Sequence, residues 1–161
     1  CTQLARAIAY IHNHNVIHGD IKGPNVLVSD ANIIQVADFG VSLMDHKEVE
    51  FSVTSAGRGT QRWQAPEILD GETDSSVEGD VYALGITMTE IYTGEPPYGP
   101  DTWTRRKTTR VVEGRLRPTR PVNLPIDSTG NAVWELMNRC WVGSPGERPT
   151  SGEVYERLNS F

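Results

Sequence analysis

The stretch from Asp80 to Thr93 constrains the fold of this 161-residue chain more than any other. Its large apolar residues recur at helical spacing and are expected to face inward: Val81, Leu84, Met88 and Ile91. The stretch is apolar on more than one side, which is typical of a helix that other elements surround. Glycine and two prolines then end it, in the sequence GEPP. The chain is therefore predicted to fold around a buried central helix.

Apolar periodicity predicts four further helices: from the start of the chain to about residues 12–15, over 101–113, over 131–141, and from Thr150 onward. Glu153 follows Thr150 at the spacing of a capping box. Two short β-like runs, Val26–Val28 and Ile33–Ala37, predict a hairpin. Residues 41–62 show no pattern and are predicted to form a long loop. The predicted fold class is mainly α (α+β), with about five helices and one small β-hairpin.

Composition excludes several classes of protein. The formal net charge of −6 argues against a general nucleic-acid binder, which is usually basic. Nowhere does an apolar run approach the ~20 residues that span a bilayer. The two cysteines, Cys1 and Cys140, suggest neither a disulfide framework nor a Cys-x-x-Cys metal site. We therefore expect an intracellular, cytoplasmic protein that neither spans a membrane nor binds nucleic acid.

The stretch VIHGDIKGPNVLV, residues 16–28, places charged and amide side chains between two apolar runs. A tight turn near Ala31 would pair Val26 with residues close to Ala37, so that Asn25 and Asp38 finish close together just outside the hairpin. Amide and carboxylate oxygens suit Mg²⁺, which also takes phosphate oxygens and water. The spacing therefore predicts half of a magnesium site.

Asp20 lies on the loop that leads into the same hairpin. A carboxylate there could orient a substrate hydroxyl and accept its proton during phosphoryl transfer, and Lys22 could neutralise charge on the phosphate. Each residue also has a purely structural interpretation: an aspartate after glycine forms turns, Asn25 before a strand is often a loop residue, and His18 is more often packed than catalytic. Only the combination favours a reaction centre.

Five segments resemble, in order, the signature motifs of the protein kinases: HGDIKGPN (18–25), ADFG (37–40), QAPE (64–67), GDVYALG (79–85) and GERPT (146–150). From first to last, they extend over nearly the whole chain. The chain is thus similar to the C-terminal lobe of a eukaryotic protein kinase domain. The resemblance implies an ATP-dependent, Mg²⁺-dependent transferase that phosphorylates a protein.

The resemblance implies a chemical role for each matching residue of the centre. Asp20 would be the catalytic base and Lys22 the phosphate-facing lysine. Asn25 and Asp38 would bind Mg²⁺, and Leu27 would lie beneath the adenine ring of ATP.

Other matching residues would have structural roles. His18 and Phe39 would stack in the internal hydrophobic spine of the lobe. Asp80 would hold the backbone of the catalytic loop, and Glu67 would pair with Arg148.

The substrate class follows from the same comparison. The position of Lys22, two residues after the aspartate, resembles that of a lysine in serine/threonine kinases. Thr60 matches the threonine that supports Asp20 and Lys22 in that class. A tryptophan before QAPE, as at Trp63, resembles the tyrosine-kinase-like group of serine/threonine kinases.

The sequence departs from the kinase pattern at Gly19, which replaces the arginine that usually precedes the aspartate. In the family that arginine helps to bind a phosphorylated activation loop.

The glycine-rich phosphate loop and the lysine-bearing strand of the kinase N-terminal lobe do not precede Cys1. We therefore expect residues 1–161 to be the C-terminal lobe only, a fragment whose N-terminal kinase lobe is encoded upstream, and the isolated chain to be inactive. Two alternatives stay open: a kinase-like binding or scaffold module, and a small-molecule phosphotransferase. The latter shares the aspartate and asparagine but lacks counterparts of QAPE and Arg148.

Overall fold

The computed structural model describes residues 1–38 and 60–161, together with the backbone of residues 43–44. Six α-helices lie in this part of the chain: α1 (Thr2–Asn13), α2 (Pro66–Leu69), α3 (Val77–Thr93), α4 (Arg105–Val112), α5 (Ser128–Cys140) and α6 (Ser151–Asn159). Four short strands form two antiparallel pairs: β1 (Val16–Ile17) with β4 (Leu43–Met44), and β2 (Val26–Val28) with β3 (Ile34–Val36). The mainly helical α+β prediction is confirmed.

Helix α3 is the centre of the molecule, as predicted. Every residue from Gly79 to Thr89 is buried, so the helix contacts other elements on all sides. Helices α5 and α1 pack against it. Ile91, which was expected to face inward, is 46% exposed, and that prediction is wrong. The last turn of α3 extends past the core before Gly94 ends the helix.

Contacts at both of its ends hold the loop between β1 and β2 in place. The β2–β3 hairpin has the register Val26↔Val36, and the side chain of Gln3 on α1 accepts a hydrogen bond from Ile34 N at 2.9 Å. Helix α1 also packs along α6. Because α1 ends just before β1, these contacts fix both ends of the segment that carries Asp20.

Helix boundaries follow capping side chains. Helix α3 begins at Val77, before the expected Asp80, because Ser76 Oγ accepts from Gly79 N at 2.9 Å. The predicted capping box of α6 is present: Glu153 N donates to Thr150 Oγ1, and Thr150 N donates to the Glu153 carboxylate. The sixth helix is the four-residue α2, which is too short to show a period in the sequence.

The two cysteines are free, and burial raises the pKa of the Cys140 thiol to about 12. The thiol therefore stays protonated at neutral pH, and Cys140 packs in the hydrophobic core. Among the described helices, none is both long enough and apolar enough to cross a membrane.

Substitution of Gly130, in the first turn of α5, tests how closely α5 packs against the segment that precedes it. A Cβ there would lie 1.9 Å from the carbonyl oxygen of Pro125, which is backbone and cannot rotate away. We expect Gly130→Ala to lower the free energy of unfolding by about 1–3 kcal/mol. Gly152, in the first turn of α6, is the matched control, because its Cβ would meet only Thr150 Oγ1, at 3.8 Å.

Gly152→Ala should raise the free energy of unfolding by about 0.5–1 kcal/mol, since alanine restricts the unfolded chain. Urea unfolding followed by tryptophan fluorescence measures both changes. Equal effects of the two substitutions would contradict the packing of α5 described above.

Candidate active site

The candidate active site is built on the loop between β1 and β2, with Asp20 at its centre. Lys22 Nζ donates to Asp20 Oδ2 at 2.6 Å, and Asn25 Nδ2 donates to the same oxygen at 3.0 Å. Lys22 Nζ also donates to Thr60 Oγ1 at 3.1 Å. The structure thus brings together four residues that the sequence singled out, from two segments 35 positions apart at their nearest (25 to 60).

The two carboxylate oxygens of Asp20 differ in their hydrogen bonding. Oδ2 accepts the two hydrogen bonds from Lys22 and Asn25, which fix the orientation of the carboxylate. Oδ1 is buried and accepts no hydrogen bond from any described residue. A buried acceptor without a partner is unfavourable by about 1–3 kcal/mol. A hydroxyl donor from outside the chain would satisfy this oxygen.

The amide of Asn25 is oriented by the same contacts. Its Nδ2 donates to the carboxylate of Asp20 and, at 2.8 Å, to the backbone oxygen of Asp20. Both donor hydrogens are therefore engaged, and Oδ1 is the atom left for a cation. The backbone oxygen of Asn25 accepts from Ala37 N at 2.9 Å, which brings Asn25 next to the segment that ends in Asp38.

The donor set at this end of the hairpin fits Mg²⁺. An amide oxygen and an exposed carboxylate, that of Asp38, are hard ligands, and Mg²⁺ is usually bound by one or two protein oxygens plus phosphate and water. Residues 1–38 and 60–161 contain no cluster of three or more His, Cys, Asp or Glu that could hold a metal ion. The described residues therefore suit a shared metal–phosphate site better than a closed metal cage.

Asp80 anchors the backbone of the loop from α3. Its buried carboxylate accepts from His18 N at 2.7 Å and from Gly19 N at 2.8 Å. Gly19 has φ = 77°, a conformation that glycine adopts without steric cost. The third donor to Asp80 is His12 Nε2, at 2.9 Å, and His12 Nδ1 contacts Ser151 Oγ at 2.8 Å.

Sequence analysis assigns no role to His12, although the structure places it at Asp80. The available signal was the predicted burial of Asp80, because a buried carboxylate requires donors. Glu90 was missed as well. Its carboxylate accepts from Gly23 N and from Trp63 Nε1, both at 2.9 Å, and so joins the loop to the segment after Thr60.

The His18 ring lies in the interior, between the loop and the segment before Asp38. Asp20 N donates to His18 Nδ1 at 3.2 Å, so Nε2 carries the proton and donates to Ala37 O at 3.1 Å. His18 is fully buried. Phe39, the predicted stacking partner, lies outside the described residues.

Leu27 lies on the exposed face of the hairpin. It is 49% exposed, and its neighbours Val28 and Ile33 are 63% and 56% exposed. The predicted adenine contact is therefore on an accessible apolar surface.

Glu67 and Arg148 form a buried, two-pronged ion pair. Arg148 Nη1 and Nη2 donate to Glu67 Oε1 and Oε2 at 2.6 and 2.8 Å. Arg148 also donates to three backbone oxygens, those of Val142, Glu78 and Gly143, and its guanidinium lies 5.1 Å from the centre of the Tyr82 ring. This cluster joins α2, α3 and the segment before α6.

Comparisons with known proteins identify the family to which the chain belongs. The family model of protein tyrosine and serine/threonine kinases matches residues 1–158. Serine/threonine-protein kinase STY17 of Arabidopsis thaliana is 34% identical over 158 residues, which is 98% of this chain and 26% of that protein. Tyrosine-protein kinase Srms of Mus musculus is 34% identical over 160 residues, 99% of this chain and 30% of that protein.

Mitogen-activated protein kinase kinase kinase 2 of Arabidopsis thaliana is 30% identical over 152 residues, 94% of this chain and 22% of that protein. The chain thus spans less than a third of the length of these relatives, which include both serine/threonine and tyrosine kinases. Since the family model covers almost the whole chain, this protein belongs to the family of protein tyrosine and serine/threonine kinases.

Proposed function

We propose that this chain carries the catalytic and metal-binding residues of an ATP-dependent protein serine/threonine kinase. The observation that supports this most directly is the hydrogen bonding of Asp20: Lys22 and Asn25 donate to one oxygen, and the other is buried and accepts no hydrogen bond from a described residue. In the proposed mechanism, Oδ1 accepts the hydrogen bond of a substrate hydroxyl and then its proton, as the substrate oxygen attacks the γ-phosphorus of ATP. The bond between that phosphorus and its bridging oxygen breaks, and ADP leaves. Lys22 neutralises charge on the transferring phosphoryl group.

Asn25 Oδ1 and the Asp38 carboxylate would hold the Mg²⁺ that accompanies ATP. When bound, the ion offsets negative charge on the phosphates. Leu27, with its exposed side chain, would contact the adenine ring. His18 and Phe39 are proposed to support this arrangement from the interior, and Asp80 to fix the loop backbone.

We further propose that residues 1–161 form the C-terminal lobe of the catalytic domain and act together with an N-terminal lobe. The proposal rests on which motifs the sequence contains: the described residues supply a base and metal ligands, whereas the 161 residues contain no glycine-rich phosphate loop. The exposed apolar residues on the β2–β3 hairpin, Leu27, Val28 and Ile33, would be covered in the two-lobe domain.

Serine/threonine specificity is favoured by the contact of Lys22 Nζ with Thr60 Oγ1. It links the loop to the segment before QAPE through residues that resemble the serine/threonine class. A panel of serine, threonine and tyrosine peptides, phosphorylated by the complete protein, tests this choice. Preferential phosphorylation of tyrosine peptides would overturn it.

Nucleotide titration of the 161-residue chain tests the proposed metal site. We expect weak binding of a fluorescent ATP analogue that strengthens on addition of Mg²⁺, and no measurable phosphoryl transfer by the chain alone. Asp38→Ala should abolish the Mg²⁺ dependence, because it removes a charged ligand. The matched control is Asp30→Ala, in the turn at the other end of the same hairpin, which should leave it unchanged.

If ATP binds without any dependence on Mg²⁺ or on Asp38, the alternative of a kinase-like binding module is favoured over the enzyme. The small-molecule phosphotransferase alternative is disfavoured by the Glu67–Arg148 pair, which joins the two segments that such enzymes lack.

A further inference from the structure

The basic face of α4 stands apart from the rest of the surface. Arg105, Arg106 and Arg110 are exposed, and their positions at i, i+1 and i+5 place them on one side of the helix. The chain as a whole carries a formal net charge of −6. The three exposed arginines therefore form a positively charged patch on a chain that is negatively charged overall.

This cluster is unfavourable within the described chain. Arg105, Arg106 and Lys107 occupy the first turn of α4, which contains no acidic residue, and cations are disfavoured at the positive end of the helix dipole. Arg106 and Arg110 are like charges at i and i+4. Among residues 1–38 and 60–161, no carboxylate pairs with any of the three arginines. An anionic partner would relieve each of these costs.

The start of α4 is held rigidly, so the arginines are presented on a fixed support. Trp103 is buried and its Nε1 donates to Thr108 Oγ1 at 2.9 Å, and Thr104 Oγ1 caps Lys107 N. Helix α4 also packs against α2. A preformed surface loses little freedom on binding, which favours recognition.

A short chain of contacts connects this surface with the candidate active site. Thr60, which contacts Lys22, lies in the same helical turn as Arg62. The Arg62 guanidinium donates to the backbone oxygens of Pro97, Gly99 and Asp101, at 3.0, 2.6 and 2.5 Å. Asp101 lies three residues before the N-cap of α4, Thr104. The contacts of Arg62 therefore join the segment that carries Thr60 to the segment that leads into α4.

We propose that the face formed by Arg105, Arg106 and Arg110 binds an acidic segment of the protein substrate, at a distance along the chain from the phosphorylated residue. This inference rests on the proposed function. Carboxylates match the fork of the guanidinium group. A membrane surface is disfavoured because Trp103 and Val111 at this helix are buried and Val112 is partly buried. A long polyanion would meet the negative charge of the remaining surface.

The test is binding of a fluorescein-labelled peptide with five consecutive glutamates, measured by anisotropy at low salt with the 161-residue chain. Replacing Arg105, Arg106 and Arg110 together by glutamine should weaken binding about tenfold or more, since each exposed pair contributes little but three act together. The matched control replaces three other exposed arginines, Arg6, Arg139 and Arg157, by glutamine. It changes the net charge equally and should weaken binding less than about twofold.

The thermal midpoint of the α4 variant should be no lower than that of the parent chain, because the substitutions remove unfavourable charges. A peptide with glutamine in place of glutamate should not bind. Equal weakening by the two triple variants, or none by either, would overturn the proposal. So would arginine-dependent binding of duplex DNA or phosphatidylserine vesicles in the absence of peptide binding.

Failure of the proposed peptide binding can be distinguished from failure of the proposed function. Asp20→Asn should bind the acidic peptide as the parent chain does, because the carboxylate is not part of the α4 face. Peptide binding that persists in a complete protein with no phosphoryl transfer would contradict the proposed function alone.

Discussion

Asp20→Asn is expected to reduce kcat of the complete protein about 10²–10⁴-fold, with KM for ATP changed less than about threefold. Asparagine has nearly the same size and retains one oxygen for the contacts of Lys22 and Asn25. It cannot accept the proton of a substrate hydroxyl. The loss should therefore appear in the chemical step and not in nucleotide binding, as measured by steady-state and single-turnover kinetics with a serine peptide.

Asp30→Asn provides the control, because Asp30 lies exposed in the hairpin turn and contacts none of the site residues that the structure describes. Its kcat should equal that of the parent protein. If Asp20→Asn kept more than about a tenth of the parental kcat, Asp20 would not be the base. The structural interpretation of this residue as a turn former would then be sufficient.

Local sequence patterns predicted the elements around the site well. The hairpin register, the central helix and the capping box of α6 each depend on residues close together in the chain, and all three are present. The resemblance to kinase motifs also singled out Asp20, Lys22 and Asn25, and the structure places both Lys22 and Asn25 in contact with Asp20. Short-range periodicity and motif spacing were sufficient for this part of the molecule.

Contacts that join distant segments were not predictable in the same way. His12 and Ser151 are 139 positions apart, and only the packing of α1 along α6 brings them together beside Asp80. Glu90 lies on a helix whose apolar composition indicated burial but not the loop that its carboxylate would face. Arg62 likewise binds backbone oxygens, which carry no signal in the sequence.

Glu67→Leu is expected to lower the free energy of unfolding by about 3–5 kcal/mol, because it leaves the buried Arg148 guanidinium without its counter-charge. Arg148→Met should have a similar effect for the converse reason. A domain of this size has a stability of about 5–15 kcal/mol, so each single variant is close to the limit of folding at 37 °C. Urea unfolding at 25 °C, followed by the fluorescence of the four tryptophans, measures the loss.

The exposed ion pair between Glu113 and Arg115 is the matched control. Arg115 Nη2 lies 2.9 Å from Glu113 Oε1, but the two side chains are 37% and 68% exposed. Water and salt screen such a pair, so Glu113→Leu and Arg115→Met should each change the free energy of unfolding by less than about 1 kcal/mol. The contrast isolates the effect of burial from that of pairing.

The double variant Glu67→Leu/Arg148→Met distinguishes a stranded charge from lost packing. Removing both charges should restore part of the stability lost in either single variant, giving a coupling of about 0.5–3 kcal/mol. Restoration should be incomplete, because the backbone oxygens of Val142, Glu78 and Gly143 lose the donors that Arg148 supplies. Trimethylamine N-oxide can bring an unstable single variant into the measurable range. Strictly additive losses would show that the two side chains stabilise the fold independently, against the paired geometry described for α2 and the segment before α6.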